Sequence, residues 1–160
     1  MKSVIIYYSL EGNTDFIAKK IAKITGADLV RLEPVKEYPS TGFKKYLWGG
    51  TSVTFNERPK LKNEAINLSK YDSIIIGTPI WAGTFAPPIL TFLTDYDIKN
   101  KNVYLFASSS GGDVQKCFDK MEKKMEGNKI LATTYFIDPL KSPKADTDDK
   151  IKQFCLTLES

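Results

Sequence analysis

The chain has 160 residues, 42% hydrophobic and 26% charged, which is the length of one domain, 1–160, with enough apolar material to bury a core, and it argues against disorder. It contains no histidine and only two cysteines, Cys117 and Cys155, which excludes histidine triads, histidine bases and ligands, and cysteine-rich zinc clusters. The formal charge is +4, and its excess is local: Lys36, Lys44, Lys45, Arg58, Lys60 and Lys62 face only Glu37 and Glu57 between Pro34 and Lys62.

The first element is the apolar run Val4 to Tyr8, a strand buried on both faces. It leads through Ser9, Leu10, Glu11, Gly12, Asn13 and Thr14 into a helix whose apolar face is Ile17, Ile21 and Ile24 and whose stop signal is Gly26. A strand turning through small and hydroxylated residues into a helix start aims backbone N–H groups, the Ser9 and Thr14 hydroxyls and the positive helix end at one point. That point suits a phosphate. Used singly, the same residues also make an ordinary turn capped by Asn13 or Thr14.

Leu29 to Glu33 reads as the second strand and Ser73 to Gly77 as the third. The uncharged stretch Ser73 to Thr94 is long, yet Gly77, Pro79, Gly83, Pro87 and Pro88 interrupt it, so strand, loop and helix are expected rather than a membrane span. The loop would be Thr78, Pro79, Ile80, Trp81, Ala82, Gly83 and Thr84, offering an indole as a flat apolar surface. Val103 to Ala107 is the fourth strand, followed by a loop of Ser108, Ser109, Ser110, Gly111 and Gly112 with Asp113 as cap of the next helix. That helix carries Val114, Cys117, Phe118, Met121 and Met125 on one face; Ile130 to Ile137 is a fifth strand, and Ile151, Phe154, Cys155 and Leu158 belong to a closing helix. Both cysteines are expected to be buried small side chains.

Strands alternating with amphipathic helices define an α/β fold, a doubly wound parallel sheet, whose ligands sit beyond the carboxyl ends of the strands. Three unusual loops share that edge, and together they suit a flat, phosphorylated, aromatic ligand. Lys2 enters a strand with no small-residue cleavage site, which points to a cytoplasmic location. The basic residues come with no recognition-helix or RNA-binding signature, so no nucleic-acid partner is expected. Phospho-receiver, Walker-type and Gly-x-Gly-x-x-Gly readings fail because their signature residues are missing.

The segments Tyr8 to Thr14 and Gly77 to Gly83, supported by Gly42 to Gly50 and Thr84 to Pro88, resemble those of flavodoxins, specifically small bacterial short-chain ones, over essentially the whole chain. The resemblance implies a flavodoxin-like three-layer sandwich with five parallel strands in the order 2-1-3-4-5 and FMN at the switch point. It implies that Ser9 to Thr14 hold the phosphate, Thr78 to Gly83 pass along the isoalloxazine, and Ser108 to Gly112 bind its pyrimidine side. The function implied is electron transfer, the flavin cycling between oxidised, semiquinone and hydroquinone forms, in a monomer or weak dimer that docks transiently on redox partner proteins, with no membrane partner. The alternative is an FMN-dependent NAD(P)H:quinone-type reductase with an open flavin face, because the third loop lacks the aromatic residue common there. Tyr46 or Trp48 could cover that face, and Lys44 and Lys45 would raise the potential of the reduced state. The Ala82–Gly83 peptide is the candidate for a flip presenting the Ala82 carbonyl, with alanine making the turn costlier than glycine would.

Overall fold

The structure is a computed structural model that describes residues 1–38, 57–141 and 143–159. Strand β1 (Ser3–Tyr7) is followed by helix α1 (Asn13–Thr25) and strand β2 (Asp28–Arg31). Next come β3 (Ser73–Trp81), the two-residue β4 (Thr84–Phe85), α2 (Pro87–Asp95), β5 (Asn102–Ser109), α3 (Val114–Lys124), β6 (Lys129–Ile137) and α4 (Lys144–Glu159).

The five long strands are parallel and lie in the order β2-β1-β3-β5-β6. Setting aside β4, which pairs antiparallel with β3, this is the expected 2-1-3-4-5 arrangement. Two apolar layers enclose the sheet. Ile5, Tyr7, Ile75, Tyr104, Phe106 and Phe136 pack under α1 and α4, against Ile17, Ile21, Ile151, Phe154 and Cys155. Val4, Ile6, Ile74, Ile76, Val103 and Leu105 pack under α2 and α3, against Ile89, Phe92, Cys117, Phe118 and Met121. Successive residues of β1, β3 and β5 therefore serve opposite layers, which is why these strands read as unbroken apolar runs. Burial pushes the Cys117 thiol up to about 12, so it behaves as a small apolar side chain.

Three expectations need correcting. Ile24 is 48% exposed, because the apolar face of α1 runs out before its last turn. Strand β3 does not stop at Gly77 but continues to Trp81, so Thr78 to Trp81 are strand and only Ala82 and Gly83 turn. Pro79 is tolerated there because it lies at the last rung of the ladder, opposite Ser108. The third difference is β6, an edge strand in which Leu131, Tyr135 and Ile137 are exposed, so its apolar run is half-buried.

Among the described residues no helix is long and apolar enough to cross a membrane. Tyr46, Trp48, Lys44, Lys45 and the whole stretch Gly42 to Gly50 lie outside the described residues.

Candidate functional site

The carboxyl ends of β1, β3 and β5 open into one cleft of about 520 Å³, within the span of roughly 300–1,000 Å³ usual for small-molecule sites. Its walls are Ser9, Leu10, Glu11, Asn13 and Thr14; Pro79, Ile80, Trp81, Ala82 and Gly83; and Ser108, Ser109, Ser110, Gly111 and Gly112. The three loops singled out in the sequence thus meet at one place. Gly12 and Thr78 stand apart from the rest. Gly12 is the N-cap of α1, with φ of 97°, a left-handed backbone that favours glycine and lets the chain turn from strand into helix. Thr78 is fully buried, and its hydroxyl donates to the Pro79 carbonyl at 2.9 Å and accepts from the Ala86 N–H at 3.0 Å, which pins the hairpin to the start of α2.

The first corner presents hydrogen-bond donors that have no acceptor among the described residues. A glycine N-cap offers no side-chain acceptor, and the first-turn amides of a helix have no partners within it. Among the described residues no acceptor takes the N–H groups of Leu10, Glu11, Asn13 or Thr14. Ser9 is 2% exposed, and its Oγ has no hydrogen-bond partner among the described residues. A buried hydroxyl left unmatched costs about 1–3 kcal/mol, so an acceptor placed in the cleft would recover that loss. Thr14 Oγ1 shares a 2.7 Å hydrogen bond with Ser108 Oγ and ties the first loop to the third. Glu11 is an exposed residue of the cleft wall.

The third loop contributes backbone more than hydroxyls. Ser109 Oγ donates to the Gly111 carbonyl at 2.7 Å and accepts from the Gly111 N–H at 2.8 Å. Ser110 Oγ donates to Asp138 Oδ1 at 2.8 Å, and Asp113 caps α3 as expected by accepting from the Lys116 N–H at 3.0 Å. Residues missed in the sequence complete this frame. The turn after β6 crosses back to the first loop, where the Leu140 N–H donates to Asn13 Oδ1 at 3.2 Å, while the Asp138 N–H donates to the Ser109 carbonyl at 2.8 Å. Only tertiary structure brings Asp138 and Leu140 here, 25 or more positions from either loop, and no local pattern marks them.

Trp81 lines the cleft from the end of β3. Its indole is 3% exposed and meets Tyr8 and Tyr38 edge to face, with centroids at 5.7 and 5.4 Å; the two tyrosines stand 6.3 Å apart. The indole is an apolar wall fixed by two phenols. Burial, with Tyr38 and Glu37 adding, raises the Tyr8 phenol, and burial with the charge of Glu57 pushes Tyr38 up to about 12. Folded-state values above the ordinary 10.0 mean that this cluster gives its full stability below pH 10 and loses it as the pH climbs through about 12. Denaturant titrations should show stability falling across that window; a flat profile would contradict the cluster.

At the hairpin both central residues have positive φ, 48° at Ala82 and 70° at Gly83, as a two-residue turn of this hand requires. Alanine there carries strain of about 1–2 kcal/mol. Ala82→Gly is expected to raise stability by about 0.5–1 kcal/mol, since the added freedom of the unfolded chain offsets part of the relief. Thermal melts check this, and a lower melting temperature would contradict it.

A doubly wound sheet with an anion-receiving corner and an apolar wall at its switch point is the architecture of a mononucleotide-binding domain. The chain belongs to the flavodoxin family, whose model, described as Flavodoxin, matches residues 2–142. No curated protein matches it. Among solved structures it is similar to a Bacteroides uniformis protein assigned as a flavoprotein, at 24% identity, TM-score 0.80, covering 94% of this chain and 97% of that one. A Lactobacillus acidophilus flavoprotein in complex with FMN shares 24% identity at TM-score 0.68, covering 93% and 99%. Oxidised Flavodoxin 2 from Bacillus cereus shares 19% identity at TM-score 0.64, covering 99% and 98%.

Proposed function

We propose that the cleft binds FMN and that the protein is a flavodoxin-type electron carrier of the cytoplasm, docking transiently on reductases and acceptors. The observation that carries the reading is the first corner: the buried, unpartnered Ser9 hydroxyl beside the uncapped start of α1. These donors fit a phosphate monoester, and the apolar wall of Ile80 and Trp81 with the backbone of Ser109 to Gly112 fits a planar ring with polar edges. Ser9, Thr14 and the amides of Leu10 to Thr14 would hold the phosphate, and Ala82, Gly83 and the third loop would flank the ring.

Bound FMN would supply the one- and two-electron redox chemistry of the flavin ring. The chain's own part is to bind, orient and exclude water. The Thr14–Ser108 bond fixes the spacing of the phosphate and ring subsites, and the Tyr8–Tyr38–Trp81 packing keeps the wall rigid. The strained Ala82 backbone fixes which polar groups of the hairpin face the cleft.

Reconstitution with FMN followed by steady-state assay separates carrier from enzyme. The flavin-loaded protein is expected to accept electrons from a flavodoxin reductase while oxidising NADH or NADPH negligibly by itself. Rapid turnover with a nicotinamide and a quinone, without any reductase, would overturn the carrier reading in favour of a quinone-type reductase.

A further inference from the structure

Among the described residues lining the cleft the only formal charge is that of Glu11, a carboxylate. A phosphate dianion would therefore enter a site whose one charged wall residue repels it. One compensating charge lies behind the first loop. Arg31, the last residue of β2, reaches over the end of β1, and its Nη2 donates to the carbonyl oxygen of Ser9 at 2.8 Å. Arg31 is held in place by its own backbone, which is opposite Tyr7 in the sheet and whose carbonyl accepts from Asn63 Nδ2 at 2.8 Å.

This contact fixes a direction as well as a position. In a trans peptide the carbonyl and the following N–H point opposite ways. Strand β2 lies on one side of β1, whereas β3 and β5, which bound the cleft, lie on the other. A Ser9 carbonyl held toward β2 leaves the Leu10 N–H turned toward the cleft, next to the buried Ser9 hydroxyl.

We infer that Arg31 is a positioning residue for the phosphate site: it orients the Ser9–Leu10 peptide so that its N–H serves the anion, and it supplies from behind the positive charge that the cleft wall lacks. The groups facing Arg31 support this role. Asp15 is the acidic neighbour, and it is engaged by Tyr7 Oη, which donates to it at 2.7 Å, and by Lys19 Nζ at 2.7 Å, so its charge is already shared. Tyr7 and Tyr8 are neutral phenols raised by burial. The guanidinium thus brings a positive charge to the back of the loop, where Asp15 is already engaged by other partners. Arginine suits the task because its planar fork donates to a carbonyl while its charge stays delocalised and permanent.

The inference rests on the reading of this corner as the FMN phosphate site, and the two can fail separately. Apo-protein, Arg31→Met and Arg31→Lys are titrated with FMN and with riboflavin by quenching of flavin fluorescence, and melted with and without inorganic phosphate. Arg31→Met is expected to weaken FMN about 10- to 100-fold, the size of a lost hydrogen bond to a charged group, and to leave riboflavin within about twofold. Arg31→Lys keeps the charge and should recover part of the loss. Added salt should weaken FMN binding more in the parent than in Arg31→Met, and the thermal protection given by phosphate should disappear in that variant. Unchanged FMN affinity in both variants, or equal weakening of FMN and riboflavin, would overturn the role of Arg31. A parent protein that binds the two flavins equally would instead overturn the phosphate site itself.

Discussion

Gly77→Ala is expected to lower stability by about 2–3 kcal/mol, a fall in melting temperature of roughly 5–10 °C for a domain of this size. Gly77 lies in β3 between Tyr7 of β1 and Phe106 of β5. A methyl group added there would overlap three atoms of the Phe106 ring, which is fully buried in the same apolar cluster as Ile5, Tyr104 and Phe136, so the ring can yield only by disturbing close-packed neighbours. The ring uses the space that glycine leaves, and the close approach of the three central strands depends on it. The double variant Gly77→Ala with Phe106→Leu should recover part of the loss, because the smaller side chain vacates the overlapped volume. Denaturant unfolding of the four proteins checks this; additive effects in the cycle would contradict the contact.

Asn13→Asp is expected to separate stability from binding. Asn13 opens α1, lines the cleft and accepts the Leu140 N–H through Oδ1. Aspartate is isosteric, keeps that acceptor and places a negative charge at a helix N-terminus, which is worth about 0.3–1 kcal/mol in favour of the folded apo-protein. The same charge opposes a phosphate. Two like charges about 4 Å apart repel by about 4 kcal/mol at an effective dielectric near 20, and partial screening leaves an effect on the order of 100-fold in FMN affinity. Riboflavin, which carries no phosphate, should bind as before. Thermal melts and flavin titrations of the variant measure both halves, and a loss of riboflavin affinity equal to that of FMN would contradict the assignment.

The doubly wound sheet and the meeting of three loops are legible because β1, β3 and β5 are buried on both faces, so each appears as an apolar run followed at once by small polar residues, whereas the strand order follows only from the resemblance to flavodoxins. The sequence misled where a local signal was overridden by neighbours in space. Thr78 and Pro79 look like a break, yet the pairing of Ile80 with Phe85 and Trp81 with Thr84 carries the strand on. Trp81 stands out in the sequence as a flat apolar surface, but its packing against Tyr8 and Tyr38 is set by neighbours distant in the chain. Ile130 to Ile137 looks buried, but a strand at the sheet edge has a neighbour on one side only. The contacts of Arg31 with the Ser9 carbonyl and of Leu140 with Asn13 span 22 and 127 positions, and no periodicity or motif encodes a single long-range hydrogen bond. Ser9 was visible as a candidate, whereas the burial that leaves its hydroxyl without a partner was not.

The most direct measurement is the pair of dissociation constants of the unmodified apo-protein for FMN and for riboflavin, obtained under identical conditions. The open amides at the start of α1, the buried Ser9 hydroxyl and the charge of Arg31 predict that the phosphate ester is bound at least about 100-fold more tightly. Equal constants, or no binding of either flavin, would contradict an account in which that corner exists to hold a phosphate.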